Sequence, residues 1–191
     1  MIDDCTALIL AGGDSSRMGQ DKAMLVLDGR TLLERVTATM QQVFPKVIVS
    51  VRELRAGVEL LQVCDEVPAS GPLAGLVAGL AQAGTPWVFT VACDMPFVTE
   101  AVVTRLASYR SGQQAVVPVI AGYAQPLAAC YAKSALEVMR ETLAEGDRSL
   151  RSVLQKLDVR YVSEAELRDA DPQLRSFFDL DTPQDFEAAK K

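Results

Sequence analysis

Two glycines, an arginine, a lysine and an aspartate define the chemistry open to this chain. Leu8 to Lys22 reads LILAGGDSSRMGQDK, an apolar run that breaks into Gly12 and Gly13 and ends in the spaced cations Arg17 and Lys22. Glycine lacks a Cβ, so the backbone there can take the positive φ of a tight turn and aim N–H groups at a phosphate. Asp94 follows the apolar run WVFTVA (Trp87 to Ala92) and supplies a carboxylate. Together these are the equipment for handling a nucleoside triphosphate with a divalent metal. Magnesium takes few carboxylates and completes its shell with phosphate oxygens and water. Arg17 and Lys22 would neutralise charge on a reacting phosphate and on its pyrophosphate leaving group. Taken singly, Asp94 also reads as a turn or cap residue, and Lys22 as a solvated surface cation. Two familiar loops fail on spacing: Gly19-Gln20-Asp21-Lys22-Ala23 lacks the Lys-Ser/Thr ending of a P-loop, and the segment runs too long through polar residues for a dinucleotide fingerprint.

Composition removes other chemistries. There is no histidine, which excludes Ser–His and Cys–His catalysis and imidazole ligation of a metal. Cys5, Cys64, Cys93 and Cys130 are widely spaced, so reduced thiols are expected, with Cys93 and Cys130 in packing roles. A net charge of −6 argues against nucleic acid or an anionic membrane as partner. With no leader-like start and no apolar run of spanning length, a cytoplasmic protein is expected. At 191 residues, one domain over 1–191 is expected.

The elements that must position these residues alternate. Leu8 onward is a strand, Thr31 caps a helix from Leu32 to Val43, and Lys46 to Val51 is too uniformly apolar for a sheet with one wet face, so a buried parallel strand fits it. A short strand at Leu61 to Cys64 precedes a helix from Pro72 to Ala83. Its glycines Gly71, Gly75 and Gly79 allow either close approach of a ligand or tight packing on the sheet. Trp87 to Ala92 is a strand, and ligands in open α/β sheets bind beyond the carboxyl ends of strands, where Asp94 falls. Thr99 opens a helix to Tyr109. Gln114 to Val119 and Gln125 to Tyr131 are strands about a turn at Gly122, forming a hairpin or another departure from strict alternation. Lys133 to Ala144 and Ser149 to Leu157 are helical, Asp158 to Val162 is a strand and Phe177 to Leu180 is extended. Ala165 to Arg175 is a surface loop or helix, and Asp181-Thr182-Pro183 starts a terminal helix.

LAGG at Leu10 to Gly13, SSRMG at Ser15 to Gly19 and DK at Asp21 and Lys22 resemble the signature of the nucleotidyltransferases. With GPLAG (Gly71 to Gly75), CDMPF (Cys93 to Phe97), QPLAACY (Gln125 to Tyr131) and DLDTP (Asp179 to Pro183), the chain is similar over nearly its full length to the molybdenum cofactor guanylyltransferases. The resemblance implies an α/β, three-layer Rossmann-like nucleotidyltransferase fold with a mostly parallel central sheet. It implies GTP and Mg2+, transfer of GMP to the terminal phosphate of molybdopterin, release of pyrophosphate, and transient contact with proteins that deliver or accept the cofactor. By the same resemblance, Leu10, Ala11, Gly12, Gly13, Gly71, Pro72, Leu73 and Gly75 hold guanine and ribose, and Ser50 and Asp65 contact the nucleotide. Arg17 and Lys22 face the triphosphate and Asp94 binds magnesium. Arg148, Asp179 and Asp181 meet the pterin substrate, with Asp181 a candidate second metal ligand. The chain departs from the pattern at Ser50, and at Asp179 and Asp181, where relatives can carry Asn. The alternatives are a cytidylyltransferase on the same pterin, another nucleotidyltransferase such as one acting on a sugar phosphate, and a non-catalytic nucleotide-binding subunit.

Overall fold

The computed structural model describes residues 1–12, 21–64 and 71–190. Its strands are β1 (Cys5–Leu10), β2 (Val26–Leu27), β3 (Arg30–Thr31), β4 (Val47–Val51), β5 (Leu61–Cys64), β6 (Trp87–Ala92), β7 (Ala115–Ile120), β8 (Tyr123–Ala124), β9 (Ala128–Ala132) and β10 (Val159–Ser163). The helices are α1 (Leu32–Val43), α2 (Gly71–Gln82), α3 (Glu100–Ala107), α4 (Leu136–Ala144), α5 (Leu150–Lys156), α6 (Glu164–Leu167) and α7 (Pro183–Ala189). The central sheet runs β10-β7-β9-β6-β1-β4-β5, with β8 paired to β7. Strands β6, β1, β4 and β5 are mutually parallel, which aligns the carboxyl ends of β1 and β6.

Side-chain alternation along the strands assigns the layers. Ala7, Ile9, Val49, Val51, Phe89 and Val91 face a core completed by Val36 and Met40 of α1 and Val102 and Leu106 of α3. Their neighbours Leu8, Leu10, Ile48 and Val88 face a second core with Leu73, Leu76 and Leu80 of α2, Met139 of α4 and Val153 of α5. The expected mixed, mostly parallel sheet with helices on both faces is the observed architecture. The sequence leaves two readings open for the α2 glycines, and at Gly79 packing is the answer: a Cβ there would come within 2.4 Å of both Leu8 methyl carbons.

The departure from strict alternation is β9, antiparallel to both β6 and β7. After β7 the chain turns at Ala121 (φ 50°) and Gly122 (φ 81°) into the short β8, then re-enters the sheet as β9 without a crossover helix. Helix α1 starts where expected, with reciprocal bonds between Thr31 and Glu34 worth about 1 kcal/mol. Lys133 to Ala144 is helical as expected: its first turn, Lys133–Ala135, is 3-10 and runs directly into α4, with the Lys133 N–H donating to the Pro86 carbonyl at 2.8 Å and its ammonium reaching the end of α2. One expectation needs correction. Phe177 does not begin an extended piece, because Arg175–Phe177 is another 3-10 turn. Leu174 adopts the left-handed conformation there, and the buried Asp171 accepts the Ser176 N–H at 2.7 Å. No helix among the described residues is long and apolar enough to cross a membrane.

Candidate functional site

The site forms where β1 and β6 end. Ala11, one residue past β1, donates its N–H to the Ser50 carbonyl at 2.8 Å, and the Cys93 N–H donates to the Leu10 carbonyl at 3.0 Å. The glycine loop and the Asp94 turn therefore leave the sheet side by side. Gly12 does not take a positive φ. A Cβ there would lie 3.4 Å from the Arg52 backbone nitrogen, an ordinary contact distance.

Lys22 is the centre of the charge arrangement. It opens a short 3-10 turn, Lys22–Met24, capped by the Asp21 carboxylate, which accepts the Ala23 N–H at 3.1 Å. From there its ammonium donates to Asp94 Oδ2 at 2.9 Å and to Asp181 Oδ1 at 2.7 Å. The lysine side chain is 14% exposed, Asp94 18% and Asp181 50%. Burial on its own would push the Lys22 pKa down, but the hydrogen bonds and charges of Asp181 and Asp94 outweigh it and hold the ammonium above the ordinary lysine value. Asp181 arrives from a remote part of the sequence because the Leu180 N–H donates to the Asp94 carbonyl at 2.9 Å. Leu180 itself is fully buried in a small satellite core with Leu25, Leu27, Leu32 and Ala189. That apolar cluster joins the turn after Lys22 to the terminal helix, so the segments carrying Lys22 and Asp181 are held by one core.

Asp179 completes an acidic group. Burial pushes its carboxyl up first, and the negative charges of Asp181 and Asp94 add to this against the pull of Lys22. At Asp179 the charges of Asp181 and Asp94 outweigh the pull of Lys22. Lys22 bonds one oxygen of each of Asp94 and Asp181, and among the described residues no group of three or more carboxylate or thiol side chains is placed to hold a metal ion. Two hard carboxylates fit magnesium, which draws its other ligands from phosphate and water. Cys93, buried beside Asp94, has its thiol pushed up to about 12 by burial and by that charge, which suits packing and not nucleophilic attack.

Of the residues singled out from the sequence, the structure gathers Leu10, Ala11, Gly12, Lys22, Asp94, Asp179 and Asp181 at the carboxyl ends of the central strands. Ser50 is 2% exposed, and its observed contact with the loop is made by its carbonyl. Gly71, Pro72, Leu73 and Gly75 form the first turns of α2, with Leu73 packed in the same core as Leu10. Arg148 is exposed on the connection between α4 and α5, whose helices belong to the α2 layer. Gly13, Arg17 and Asp65 lie outside the described residues. A cleft of about 430 Å³ is lined by Phe177, Phe178, Arg175 and Ile120 among others, and none of Lys22, Asp94, Asp179 and Asp181 lines it.

One participant has no sequence signal. Arg55 lies in the mixed stretch from Arg52 to Leu60 that carries no periodicity, yet its guanidinium reaches both Ala11 and Asp21. Nothing local marks it, because both partners are more than thirty positions away in the chain.

Residues 7–161 match the MobA-like NTP transferase domain. The molybdenum cofactor guanylyltransferase of Desulfosudis oleivorans is 38% identical, over 99% of this chain and 96% of its own length. A probable molybdenum cofactor guanylyltransferase of Methanosarcina acetivorans is 34% identical, over 96% of this chain and 88% of its own. Among solved structures, molybdopterin-guanine dinucleotide biosynthesis protein A from Archaeoglobus fulgidus superposes with a TM-score of 0.87 at 30% identity, covering 97% of this chain and 96% of that one.

Proposed function

The chain belongs to the MobA-like NTP transferase domain family, and from that premise we propose that it is an enzyme transferring GMP from GTP to the terminal phosphate of molybdopterin, with release of pyrophosphate. The observation that carries the reading is Lys22 held between Asp94 and Asp181 at the mouth of the parallel strands. The whole chain, 1–191, is proposed to act as one nucleotidyltransferase domain in the cytoplasm, with GTP and molybdopterin as its substrates, and with transient contacts to proteins that deliver or accept the cofactor.

In this reading Leu10 to Gly13 and the start of α2 receive guanine and ribose, with Asp65 and Ser50 as further nucleotide contacts. A phosphate oxygen of molybdopterin attacks the α-phosphorus of GTP. The new O–P bond forms as the bond to the β-phosphate oxygen breaks, and pyrophosphate leaves. A phosphate monoester is already ionised near neutral pH, with a second pKa of about 6, so no general base is required and the lack of histidine is no handicap. Lys22 and Arg17 meet the negative charge that accumulates on the triphosphate. Lys22 enters already oriented, so little reorganisation is needed when that charge develops. Asp94 and Asp181 would hold Mg2+, which when bound supplies further neutralisation of the phosphates. Asp179 and Asp181 are proposed to meet the pterin substrate at the terminal segment, with Arg148 as its further contact.

Reconstitution with molybdopterin, magnesium and GTP or CTP in parallel tests the reading. GMP transfer is expected and CMP transfer is not. Asp94→Asn is expected to lower turnover at least a hundredfold while its circular dichroism and melting curve stay close to wild type. CMP transfer of equal efficiency would support the cytidylyl alternative. Tight GTP binding without pyrophosphate release would support a non-catalytic subunit.

A further inference from the structure

We propose that Arg55 is a positioning residue for the reaction: it ties Ala11 to Asp21 and thereby fixes the turn from which Lys22 reaches Asp94 and Asp181. The inference rests on the reading of Lys22 as the triphosphate-facing lysine. Ala11 is 4% exposed and lies past the last paired residue of β1. Its N–H is taken by Ser50, and among the described residues no strand N–H donates to its carbonyl; an unpaired buried carbonyl is costly. Arg55 Nη2 donates to that carbonyl at 2.9 Å.

The same guanidinium grips the Asp21 carboxylate with both terminal nitrogens: Nη1 to Oδ2, and Nη2 to Oδ1 at 3.2 Å. Asp21 Oδ1 is also the cap of the Lys22–Met24 turn. One carboxylate therefore joins a forked cation to the backbone of the turn that projects Lys22. Arg55 is fixed in its own place by β5. Its N–H donates to Gln62 Oε1 at 2.8 Å, and its carbonyl accepts from Gln62 Nε2 at 3.0 Å. The chain of contacts runs from a strand of the sheet through Gln62, Arg55 and Asp21 to Lys22. It uses geometry that only a planar guanidinium can supply, since lysine could not make the fork and the carbonyl bond together.

The test compares Arg55→Ala, Arg55→Lys, Asp21→Ala and the double variant Arg55→Ala/Asp21→Ala with wild type. Two readouts are taken: amide hydrogen exchange at Ala23 to Leu25, and kcat and KM for GMP transfer from GTP to molybdopterin. Arg55→Ala is expected to speed exchange in the turn and to lower kcat about ten- to a hundredfold, the size expected for a lost charge-assisted contact. Arg55→Lys should recover only part of this, and the double variant should be no slower than the slower single one. Unchanged exchange in Arg55→Ala overturns the proposal whatever the activity shows. Multiplying losses in the double variant overturn it too, because Arg55 would then act on substrate independently of Asp21. If Arg55→Ala does not fold, Arg55→Lys and Asp21→Asn carry the same comparison. Wild-type protein that transfers no GMP would refute the guanylyltransfer reading, and hydrogen exchange would still decide whether Arg55 fixes the turn.

Discussion

Two partly buried lysines on this molecule show how the same side chain meets neutral acceptors in one place and anionic ones in another. Lys133, at the start of the segment after β9, points its ammonium at the carboxyl end of α2, where the carbonyls of Leu80, Ala81 (2.9 Å) and Ala83 (2.7 Å) accept from it. These are the helix-end carbonyls that lack partners within the helix, and a cation there complements the helix dipole. Lys22 instead points at two carboxylates. The difference lies in the charge of the acceptors. Around Lys133 the acceptors are neutral and saturated by one cation. Around Lys22 the acceptors are anions, and their charges also act on Asp179. One arrangement closes a helix, and the other is the one proposed above to meet the triphosphate.

Exchanging each lysine for alanine breaks the comparison most sharply. Lys22→Ala is expected to lower GMP transfer about 10²- to 10³-fold, the range found when one charge-stabilising group is removed from a reacting centre. Steady-state turnover with saturating GTP measures this, and an activity within threefold of wild type would remove Lys22 from the reacting centre. Lys133→Ala should leave turnover unchanged at a temperature where the protein is folded, while lowering stability by about 1–2 kcal/mol, since it orphans α2 carbonyls at a partly exposed site. Urea unfolding measures that loss. A Lys133→Ala protein of full stability would mean that water replaces the ammonium without penalty.

The smallest effect separates the two by titration. Burial, with the Arg140 charge, pushes Lys133 below the ordinary lysine value of 10.5, whereas Lys22 is held above it by Asp181 and Asp94. On alkaline titration followed by the Cε resonances, Lys133 should release its proton first. For stability the signs follow. Lys22 binds its proton more tightly folded than unfolded, so its contribution is full below the unfolded value and fades as pH rises through the raised one. Lys133 has the opposite slope. The reverse order of titration would show that the carboxylates do not hold Lys22 in solution.

The parallel strands, α1 with its Thr31 cap and the strand leading to Asp94 are legible in the sequence because each is set by local pattern: β-branched runs, helical spacing, capping residues. The antiparallel entry of β9 is less so, since its residues are as apolar as a parallel strand's and direction is decided by the Ala121-Gly122 turn. The 3-10 turn at Arg175–Phe177 was hidden for another reason. It depends on Asp171 accepting the Ser176 N–H, while the surrounding FFDL reads as extended.

The sequence alone determined which charges this protein has for chemistry: lysine, arginine and aspartate without histidine, on segments ending apolar strands. Residue type and spacing fix such matters because they depend on covalent order. Only the tertiary structure decided that Lys22 lies between Asp94 and Asp181, that Gly79 makes room for Leu8, and that Arg55 joins Ala11 to Asp21. Those pairings span tens to more than a hundred positions of chain. They exist because the sheet aligns its strand ends and a small core around Leu180 draws the terminal segment onto them.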